Sequence, residues 1–527
     1  MLRKRDDART IQEVIERNTK MTAMEFLNPD PMPYIHNLKN TAECILKHKN
    51  ESFTIVGDYD VDGICATSIM YHALNKIGIE AKTRLPHRFT EGYGLSIKII
   101  DEIDSGVVIT VDNGIAAYNA IQKAKEKGLT VIVTDHHLAP VKDEKRILPP
   151  ADFIVDPNAD DDSDYKEYCG AAIAYRLAQE LCSNEDLTDL LVLASIATVS
   201  DVMKLYGANR YIVKEGLKAI NAGKGPVGLR MLLESIHLTE HITEDDYGFK
   251  LGPIFNASGR LYDNGAERVL EVLKIETLTK ETDALVNELV AANEQRKENV
   301  KSMYPIAEKL AKGERPIVIY HPSFGEGIIG ILAGNLSEKY QCPVIVFTKT
   351  EQGTLKGSGR SVPGIHLKCV LDKISNTMIK YGGHAGAAGL SIKAGTLNAF
   401  KKAFVDACGV IPPISTDIEY DLELKPQDFD RYIAQMQIFG PFGEGNPKPI
   451  FHIWYSSNGS YSRIGNGEHF RIKGNSLTLL GFDLAKKYEA AGMPQNIDCV
   501  GYPQVHMYNG NAYNQFELIG FKERESA

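Results

Sequence analysis

The sequence lacks several features that would place it in a specialised class of protein. None of its 527 residues belongs to an apolar run of 18 or more, which a membrane-spanning helix needs. Its first residues, Met-Leu-Arg-Lys-Arg-Asp-Asp, contain no apolar stretch of the kind found in a secretory signal. The eight cysteines form no C-x-x-C pair, so neither a zinc site nor a disulfide framework is indicated. We therefore expect a cytoplasmic chain with reduced cysteines and no membrane partner.

Positive charge is also scarce for a chain that would coat nucleic acid. Lys and Arg number 59 against 69 Asp and Glu, which gives a formal net charge of −10. Because the phosphate backbone is held by Lys and Arg, this balance argues against an indiscriminate coating protein. It does not exclude a nuclease, since a metal site concentrates carboxylates and a local basic groove can coexist with an acidic total.

The chain is long enough for three or four globular domains. Its apolar share of 43% is typical of proteins with packed cores. From residue 50 to about 200, short apolar runs alternate with helical patterns, which predicts a parallel α/β sheet. Residues 276–312 are rich in Glu, Lys, Leu and Ala and predict a long helix that joins two domains. A second α/β domain follows, and short strands and turns after residue 450 predict a small β-barrel.

These patterns divide the chain into six segments. The predicted segments are an N-terminal extension (1–49), a first α/β domain (50–275), a connecting helix (276–312), a second α/β domain (313–411), a connector (412–449) and a barrel (450–527). The acidic stretch 157–165 lies inside the first domain, and we interpret it as a solvated loop rather than a metal site.

Three predicted strands of the first domain end in residues that could bind metal. These are Asp58, Asp60 and Asp62 after the first strand, Asp112 after the second, and Asp135, His136 and His137 after the third. Because the carboxyl ends of parallel strands form the ligand crevice of an open sheet, these side chains should converge. Clustered carboxylates repel one another and need cations, and oxygen ligands with an occasional imidazole favour Mg²⁺ or Mn²⁺ over zinc. Two such ions would suit phosphate-ester hydrolysis.

Each of these residues has a simpler interpretation when it is taken alone. A single Asp after a strand is more often a helix cap or a turn residue, and two adjacent His can form a buried polar pair. Three such strand endings in succession favour a metal site, and the position of the His pair beside Asp135 favours ligands. The residues therefore predict metal-assisted hydrolysis of a phosphate ester.

The same strings resemble the motifs of the DHH phosphoesterase superfamily. The first three motifs match D-x-D-x-D-G from Asp58, V-D-N-G around Asp112 and D-H-H from Asp135, and Asp201 matches the fourth. Further strings are similar to those of a narrower group, the bacterial RecJ single-strand exonucleases. They are Pro86-His87-Arg88, Glu91 to Leu95, Leu251 to Pro253, Asn256 to Arg260, Lys356 to Ser361, Gly382 to Gly389 and Pro441 to Pro447.

The resemblance covers the chain from about residue 50 almost to its end and is highly specific. It implies a DHH domain, a DHH-associated domain and an oligonucleotide-binding (OB) barrel. It also implies three sets of site residues. They are metal ligands Asp60, Asp62, Asp112, His136 and Asp201; catalytic residues Asp58, Asp135 and His137; and substrate contacts Arg88, Arg260, Ser358, Arg360 and His384.

The activity implied by the resemblance is 5′ to 3′ exonucleolytic hydrolysis of single-stranded DNA with two Mn²⁺ or Mg²⁺ ions. Mononucleotides would be released from the 5′ end, in DNA recombination and repair. A single-strand-binding protein or a helicase would be a further partner, and a monomer is expected. The polarity rests on the resemblance and not on the chemistry of the residues.

Several alternatives stay open at this point. A single Arg is more often a surface ion-pair residue than a phosphate ligand. The aromatic residues of the tail stack bases or simply fill the barrel core, and the sequence does not distinguish the two. The loop His321 to Gly330 departs from the usual form of the family, which leaves its contact between the two α/β domains undecided. Two rival functions are a DHH phosphodiesterase for small nucleotides, which would lack the long helix and the barrel, and a non-catalytic replication scaffold, which would lack metal ligands.

Overall fold

The computed structural model describes residues 2–350, 353–411, 417–456, 459–474, 476–508 and 511–523. The chain divides into two compact units. One contains Tyr34–Asp201 and Gly216–Ile414, and the other contains Met1–Pro33, Val202–Glu215 and Ser415–Ala527. The second unit is thus assembled from three separate stretches of the chain.

A five-stranded parallel sheet forms the centre of the first α/β domain, as the alternating pattern predicts. Its strand order is Ala81–Arg84, Phe53–Val56, Val107–Val111, Thr130–Thr134 and Phe153–Val155. The central strand Val107–Val111 is buried along its whole length, which is typical of a sheet with helices on both faces. A short hairpin, Val141–Lys142 with Lys145–Arg146, lies outside this sheet.

Helices surround the sheet and continue the domain beyond it, and one of them, Gly207–Asn221, begins in the stretch Val202–Glu215 of the other unit. Their bounds are Leu38–Lys47, Val61–Lys76, Ile97–Asp101, Tyr118–Glu126, Gly170–Leu181, Thr188–Ser200, Gly207–Asn221, Val227–Ser235, Glu244–Asp246, Gly252–Leu261 and Gly265–Leu273, with a π-helical turn at Tyr247–Leu251. The helix Val61–Lys76 is buried on nearly every face, because its first ten residues apart from Asp62 are small or apolar and allow neighbours to pack closely.

The predicted connecting helix spans Lys280–Ala311. Thr279 caps its first turn, since its side chain accepts a hydrogen bond from the backbone N–H of Thr282. Pro305 lies within the helix without ending it.

The second α/β domain has a mixed five-stranded sheet. The strand order is Lys380–Gly383, Ala387–Lys393, Thr354–Arg360, Val344–Lys349 and Ile317–Tyr320, and only the last pair is parallel. The helices Ile329–Tyr340, Leu367–Lys373 and Leu397–Cys408 accompany it. Two apolar clusters form the core of this domain, and both include strand residues from Val344–Lys349.

A seven-stranded sheet forms most of the second unit. Its order is Leu422–Glu423, Phe451–Ser456, Asn496–Tyr508, Asn511–Glu523, Thr478–Gly481, His469–Lys473 and Ser460–Ile464, with helices Phe429–Phe439 and Ala485–Ala490. This domain also contains the N-terminal strand Leu2–Lys4, which pairs with Ile418–Tyr420, and the helices Ile11–Thr19 and Ala23–Leu27. Their apolar residues share one core with the strands.

A buried carboxylate fixes the N-terminal segment to this domain. Asp421 accepts hydrogen bonds from the guanidinium groups of Arg5 (2.9 Å) and Arg17 (2.7 Å). No local pattern in the sequence indicated that the N-terminal residues pack here. Within the described ranges, no helix combines the length and apolarity that crossing a bilayer requires.

Candidate metal centre and phosphate site

The predicted metal ligands lie together at the carboxyl end of the parallel sheet. Together with Asp58 and His137, which were predicted as catalytic residues, they form three groups whose ligand atoms lie within 4.8 Å of one another. The groups are Asp112, His136 and His137; Asp62, His136 and Asp201; and Asp58, Asp60 and Asp112. Because Asp112 and His136 each belong to two groups, the seven side chains form one continuous cluster.

The start of the helix Val61–Lys76 positions two of the carboxylates. Asp60 caps this helix, and its Oδ1 accepts a hydrogen bond from the backbone N–H of Gly63 (3.1 Å). A Cβ atom at Gly63 would lie 2.6 Å from the backbone nitrogen of Asp58, so the loop can fold back only onto glycine here. Asp62 lies in the first turn and accepts hydrogen bonds from the backbone N–H groups of Gly170 (2.6 Å) and Ala171 (2.7 Å).

His136 joins the three strand endings and Asp201. Its Nε2 lies 3.1 Å from Asp112 Oδ1, 3.6 Å from Asp62 Oδ2 and 3.8 Å from Asp201 Oδ2. Asp112 has a φ of 59°, a left-handed conformation that is uncommon outside glycine and often found at functional sites. Asp201 follows the helix Thr188–Ser200 and is the most exposed of these carboxylates.

Two observations show that the cluster fits divalent cations. Asp58 Oδ2 and Asp112 Oδ1 are buried without a hydrogen-bond partner among the described residues. Nε2 of His136 nevertheless lies 3.1 Å from Asp112 Oδ1. The pKa values of Asp58, Asp112 and Asp201 are raised well above the usual value of an aspartate. Burial is the largest cause, and the neighbouring carboxylate of Asp60 or Asp62 is the second. Carboxylate oxygens with one or two imidazoles suit Mn²⁺ or Mg²⁺, which would relieve this repulsion.

Asp135 lies beside the ligand groups and holds the histidines. Its Oδ1 accepts a hydrogen bond from the backbone N–H of His136 (2.8 Å) and lies 2.8 Å from Nδ1 of His137. Its Oδ2 accepts a hydrogen bond from the backbone N–H of Ile115 (2.9 Å). Burial alone would raise the pKa of Asp135, but the bond with His137 lowers it. Burial likewise opposes protonation of His137, and Asp135 nevertheless raises its pKa to about 9. This is the arrangement expected of a carboxylate that orients an imidazole.

Three residues that the sequence analysis did not assign to the site support the cluster. Asn158 Nδ2 donates a hydrogen bond to the backbone oxygen of His136 (2.6 Å), and its backbone N–H donates to Asp156 (2.8 Å). Asp156 follows the strand Phe153–Val155 and is buried, and burial raises its pKa to about 8. The hydroxyl of Tyr93 donates to the backbone oxygen of Asp112 (2.9 Å). The strand-end signal would have found Asp156, whereas Asn158 lies in the stretch interpreted as a solvated loop.

We expect Asn158→Ala to lower kcat for any reaction at this cluster by about 10- to 100-fold, a range typical for residues that orient metal ligands. The substitution removes the hydrogen bond that fixes the loop of His136 but leaves every proposed ligand in place. Asn28→Ala is a matched control, because it removes an Asn bond to a backbone oxygen (3.0 Å) elsewhere. Steady-state kinetics with equal rates for both variants would contradict a positioning role.

The predicted phosphate-binding residues form a second cluster. The guanidinium of Arg88 lies over the ring of Tyr59, 4.1 Å from its centroid, and Tyr59 stands between Asp58 and Asp60. Arg260 lies in the last turn of the helix Gly252–Leu261 and donates to the backbone oxygen of Gly327 (3.3 Å). The loop His321 to Gly330 therefore contacts the first α/β domain through Arg260.

Ser358 and Arg360 lie on one face of the strand Thr354–Arg360, where alternate residues share a side. The pKa of Arg260 is lowered to about 10, mainly because its guanidinium is buried. The positive charges of Arg88, Arg360 and Arg296 nearby lower it further. Among the described residues, no carboxylate lies within ion-pair distance of Arg88, Arg260 or Arg360. Positive groups that are partly buried without counter-ions are suited to bind an anion.

Arg296 is a member of this cluster that the sequence did not reveal. It belongs to the connecting helix, and its Nε donates to Oδ1 of the buried Asn293 (3.1 Å). Burial lowers the pKa of its guanidinium. An arginine on a helix rich in charged residues looks like any other surface residue, so only the packing of this helix against Gly252–Leu261 identifies it.

We expect Arg296→Gln to weaken binding of a nucleic-acid strand and to reduce the slope of log Kd against log salt concentration by about 0.7, the value for one phosphate contact of a single strand. Arg268→Gln is the matched control, because Arg268 pairs with Glu288 at the surface. Fluorescence anisotropy at several salt concentrations measures both slopes. Equal slopes for wild type and Arg296→Gln would remove Arg296 from the site.

His384 is the predicted substrate contact that the structure does not bring into either cluster. It lies exposed in the turn between Lys380–Gly383 and Ala387–Lys393, where its backbone N–H donates to the oxygen of Ala387 (2.8 Å). In the described ranges, no hydrogen bond joins its ring to the aspartates or arginines. Its contact with the scissile phosphate stays a prediction.

The aromatic residues of the OB domain divide into two classes. Tyr455 and Phe470 are buried in the core, and Tyr461 stacks on Tyr488. Trp454 and Tyr513 are 57% and 44% exposed, so these two retain the surface that base stacking would need. Arg463 is paired with Glu489, and the side chain of Tyr508 lies outside the described residues.

Comparison with protein families assigns three regions of the chain. Residues 52–198 match the DHH family, N-terminal domain; residues 313–409 match the DHHA1 domain; and residues 420–520 match the RecJ OB domain. These are the three domain types that the resemblance implied.

Comparison with individual proteins gives similarity over most of the chain. The single-stranded-DNA-specific exonuclease RecJ of Escherichia coli is 34% identical over 75% of this chain and 74% of its own length. The protein of the same name from Thermus thermophilus is 31% identical over 89% of this chain and 68% of its own. The crystal structure of RecJ from Thermus thermophilus in complex with Mn²⁺ matches with a TM-score of 0.83 at 25% identity, over 100% of this chain and 80% of that one.

Proposed function

Since the chain belongs to the RecJ family, we propose that it is an exonuclease that degrades single-stranded DNA from the 5′ end and releases 5′-mononucleotides. The observation that carries the proposal is the pairing of two clusters in one unit of the chain. One cluster offers carboxylates and imidazoles that fit divalent cations, and the other offers arginines that have no carboxylate of the described residues within ion-pair distance. A phosphodiester with a nearby terminal phosphate is the substrate that would use both.

The residues of the aspartate cluster have separable tasks in this proposal. Mn²⁺ or Mg²⁺, held by Asp60, Asp62, Asp112, His136 and Asp201, would supply positive charge and Lewis acidity for hydrolysis. Asp58 contributes its Oδ2, which has no hydrogen-bond partner in the part of the chain that the structure describes, to the same cluster. Asp135 keeps His137 oriented through their 2.8 Å contact, and Asn158 keeps the backbone of His136 in place.

The arginine cluster would determine where the strand is cut. A terminal phosphate carries more negative charge than an internal phosphodiester, and arginines bind it with charge-assisted, bidentate bonds. Arg88 rests on Tyr59, whose neighbours in the chain are Asp58 and Asp60. The same short loop therefore supports both clusters and fixes the separation between the bound 5′-phosphate and the bond that is hydrolysed. Such a fixed separation favours removal of one nucleotide at a time.

The cellular setting is part of the same proposal. DNA recombination and repair generate single-stranded ends of the kind that this site would accept, and the cytoplasm is the location that fits such a substrate. We also propose that the chain acts as a monomer, with a single-strand-binding protein or a helicase as the partner that supplies the strand. Trp454 and Tyr513 are two exposed rings of the OB domain that support strand binding.

A phosphodiesterase for small nucleotides is the rival that the same metal cluster would serve. If the proposal holds, kcat/KM for a 5′-phosphorylated 20-nucleotide DNA exceeds that for a 5′-phosphorylated dinucleotide by about 100-fold, because base stacking outside the cleavage site contributes roughly 1–3 kcal/mol per base. Measuring both substrates with Mn²⁺ tests this. Equal or better cleavage of the dinucleotide would favour the small-nucleotide enzyme, and absence of cleavage would favour a scaffold.

A further inference from the structure

A cavity of about 900 Å³ lies beside Arg260 and has no task in the proposed function. Residues of three segments line it. Phe89, Thr90 and Asp263 come from the first α/β domain, Asn299 from the connecting helix, and Lys356 and Lys380 from the second α/β domain. The volume lies in the range of small-molecule sites and exceeds what one phosphate group occupies.

The floor of this cavity is a row of side chains on the sheet of the second α/β domain. Lys380 and Lys356 are both paired in register with Ser391, one on each side. Residues paired across neighbouring strands point to the same face, so the two lysines flank one hydroxyl. Ser391 is 8% exposed and lines the cavity with both lysines.

The lysine row lies next to the part of the sheet that holds the phosphate-binding residues. Two positions further along the same strands, Gly382, Gly389 and Ser358 form the neighbouring row on the same face. At roughly 3.4 Å per residue, the two rows are about 7 Å apart. An added Cβ at Gly382 or Gly389 would meet no atom within 4 Å, so nothing on the sheet itself separates Ser358 from the lysine row.

The charges of the cavity favour an anion. Lys380 is exposed, and no carboxylate of the described residues lies within ion-pair distance of it. Of the two carboxylates in the lining, Glu326 forms an ion pair with Lys356. Asp263 accepts hydrogen bonds from the backbone N–H of Phe89 (2.7 Å) and from the hydroxyl of Thr90 (2.6 Å). Glu326 is thus neutralised by Lys356 and Asp263 already accepts hydrogen bonds, whereas Lys380 has no ion-pair partner among the described residues.

We propose that this cavity is a second anion site, which accepts the outer phosphates of a strand that carries a 5′-triphosphate. The inference rests on the proposed function, because that function places the innermost 5′-phosphate at Arg260, Ser358 and Arg360. The outer phosphates would extend from Ser358 toward Lys356 and Lys380. On this path they would pass over Gly382 and Gly389. The enzyme would then trim ends that bear a 5′-triphosphate as well as ends that bear a monophosphate.

The reaction on such an end is the same hydrolysis with a different product. The oxygen of water bonds to the phosphorus between the first and second nucleotides, and the bond from that phosphorus to the first 3′ oxygen breaks. The 3′ oxygen takes up a proton, so the first nucleotide leaves as a nucleoside 5′-triphosphate. The remaining strand carries a 5′-monophosphate and continues as an ordinary substrate.

The test compares 20-nucleotide DNAs of one sequence with a 5′-triphosphate, a 5′-monophosphate or a 5′-hydroxyl. For wild type we expect release of a nucleoside triphosphate from the first, at a rate within about threefold of that for the monophosphate. Lys380→Gln should lower the ratio of kcat/KM for triphosphate to monophosphate ends about tenfold, the effect of one lost charge-assisted hydrogen bond. Lys373→Gln, at an exposed lysine of the same domain outside the cavity lining, should leave this ratio unchanged.

A binding measurement separates this inference from the proposed function. In calorimetry with metal-free protein, inorganic tripolyphosphate should bind Lys380→Gln about tenfold more weakly than wild type or Lys373→Gln. If wild type prefers a 5′-monophosphate over a 5′-hydroxyl but does not process the triphosphate, or if Lys380→Gln matches Lys373→Gln, the inference alone fails. If wild type shows no preference for a 5′-phosphate, the assignment of the arginine cluster fails and the inference fails with it.

Discussion

Asp112→Asn is expected to lower the rate of DNA hydrolysis at least a thousandfold while the protein stays folded. Asp112 belongs to two of the three ligand groups, and its buried Oδ1 has no hydrogen-bond partner among the described residues. Asparagine therefore replaces a charged ligand with a neutral amide at the centre of the cluster. Loss of one carboxylate from a site that holds two cations removes much of the charge stabilisation that the reaction needs. Single-turnover cleavage of a labelled strand measures the loss.

Two controls make this prediction specific to the metal site. Asp104→Asn changes an exposed carboxylate just before the strand Val107–Val111 and should leave the rate within twofold of wild type. In the absence of metal, Asp112→Asn should also melt at the same temperature as wild type or higher, because burial and Asp62 disfavour the charged form of Asp112. A normal rate of DNA hydrolysis in Asp112→Asn would refute the assignment of the cluster. A much lower melting temperature would mean that the variant loses activity because it unfolds.

Arg360→Ala should abolish most of the discrimination between 5′-phosphorylated and 5′-hydroxyl ends. Arg360 lies on the same strand face as Ser358, close to Arg260, and no carboxylate of the described residues neutralises it. A charge-assisted, bidentate bond contributes roughly 2–3 kcal/mol, so affinity for a phosphorylated end should fall about 30- to 150-fold. Affinity for the 5′-hydroxyl strand should change much less, because that strand has no terminal phosphate for Arg360 to bind.

Competition binding with the two kinds of end, under metal-free conditions, measures this discrimination without cleavage. Arg230→Ala, at an exposed arginine of the helix Val227–Ser235, is the control for a general loss of positive charge. If Arg360→Ala keeps the wild-type preference for phosphorylated ends, the arginine cluster does not hold the terminal phosphate. If both variants lose affinity equally for both ends, the effect is nonspecific.

The part of this molecule that the sequence predicted well is the part that depends on short stretches of chain. Apolar runs followed by Asp58, Asp112 and Asp135 indicate strands with carboxylates at one edge, and the parallel order of the sheet then brings these side chains together. The connecting helix was predicted to within a few residues for the same reason, since its composition is local. The family comparisons confirm the predicted α/β class and the OB domain.

What the sequence could not show depends on contacts between distant residues. Arg296 joins the arginine cluster only because the connecting helix packs beside Arg260, and Asn158 reaches the backbone of His136 across a loop. The N-terminal strand Leu2–Lys4 pairs with Ile418–Tyr420, more than 400 positions away. None of these contacts has a periodic or compositional signature, because each of the partners alone is an ordinary surface or loop residue.

The most direct test of the central claim is digestion of single-stranded DNA that carries a label at either the 5′ or the 3′ end, with Mn²⁺, Mg²⁺ or a chelator. The two clusters predict metal-dependent release of the 5′ label as a mononucleotide from the first turnover, while the 3′ label stays on a strand that shortens steadily. The matching duplex should remain intact. Release of the 3′ label first, cleavage in the presence of the chelator, or tight binding without cleavage under both metals would contradict the account.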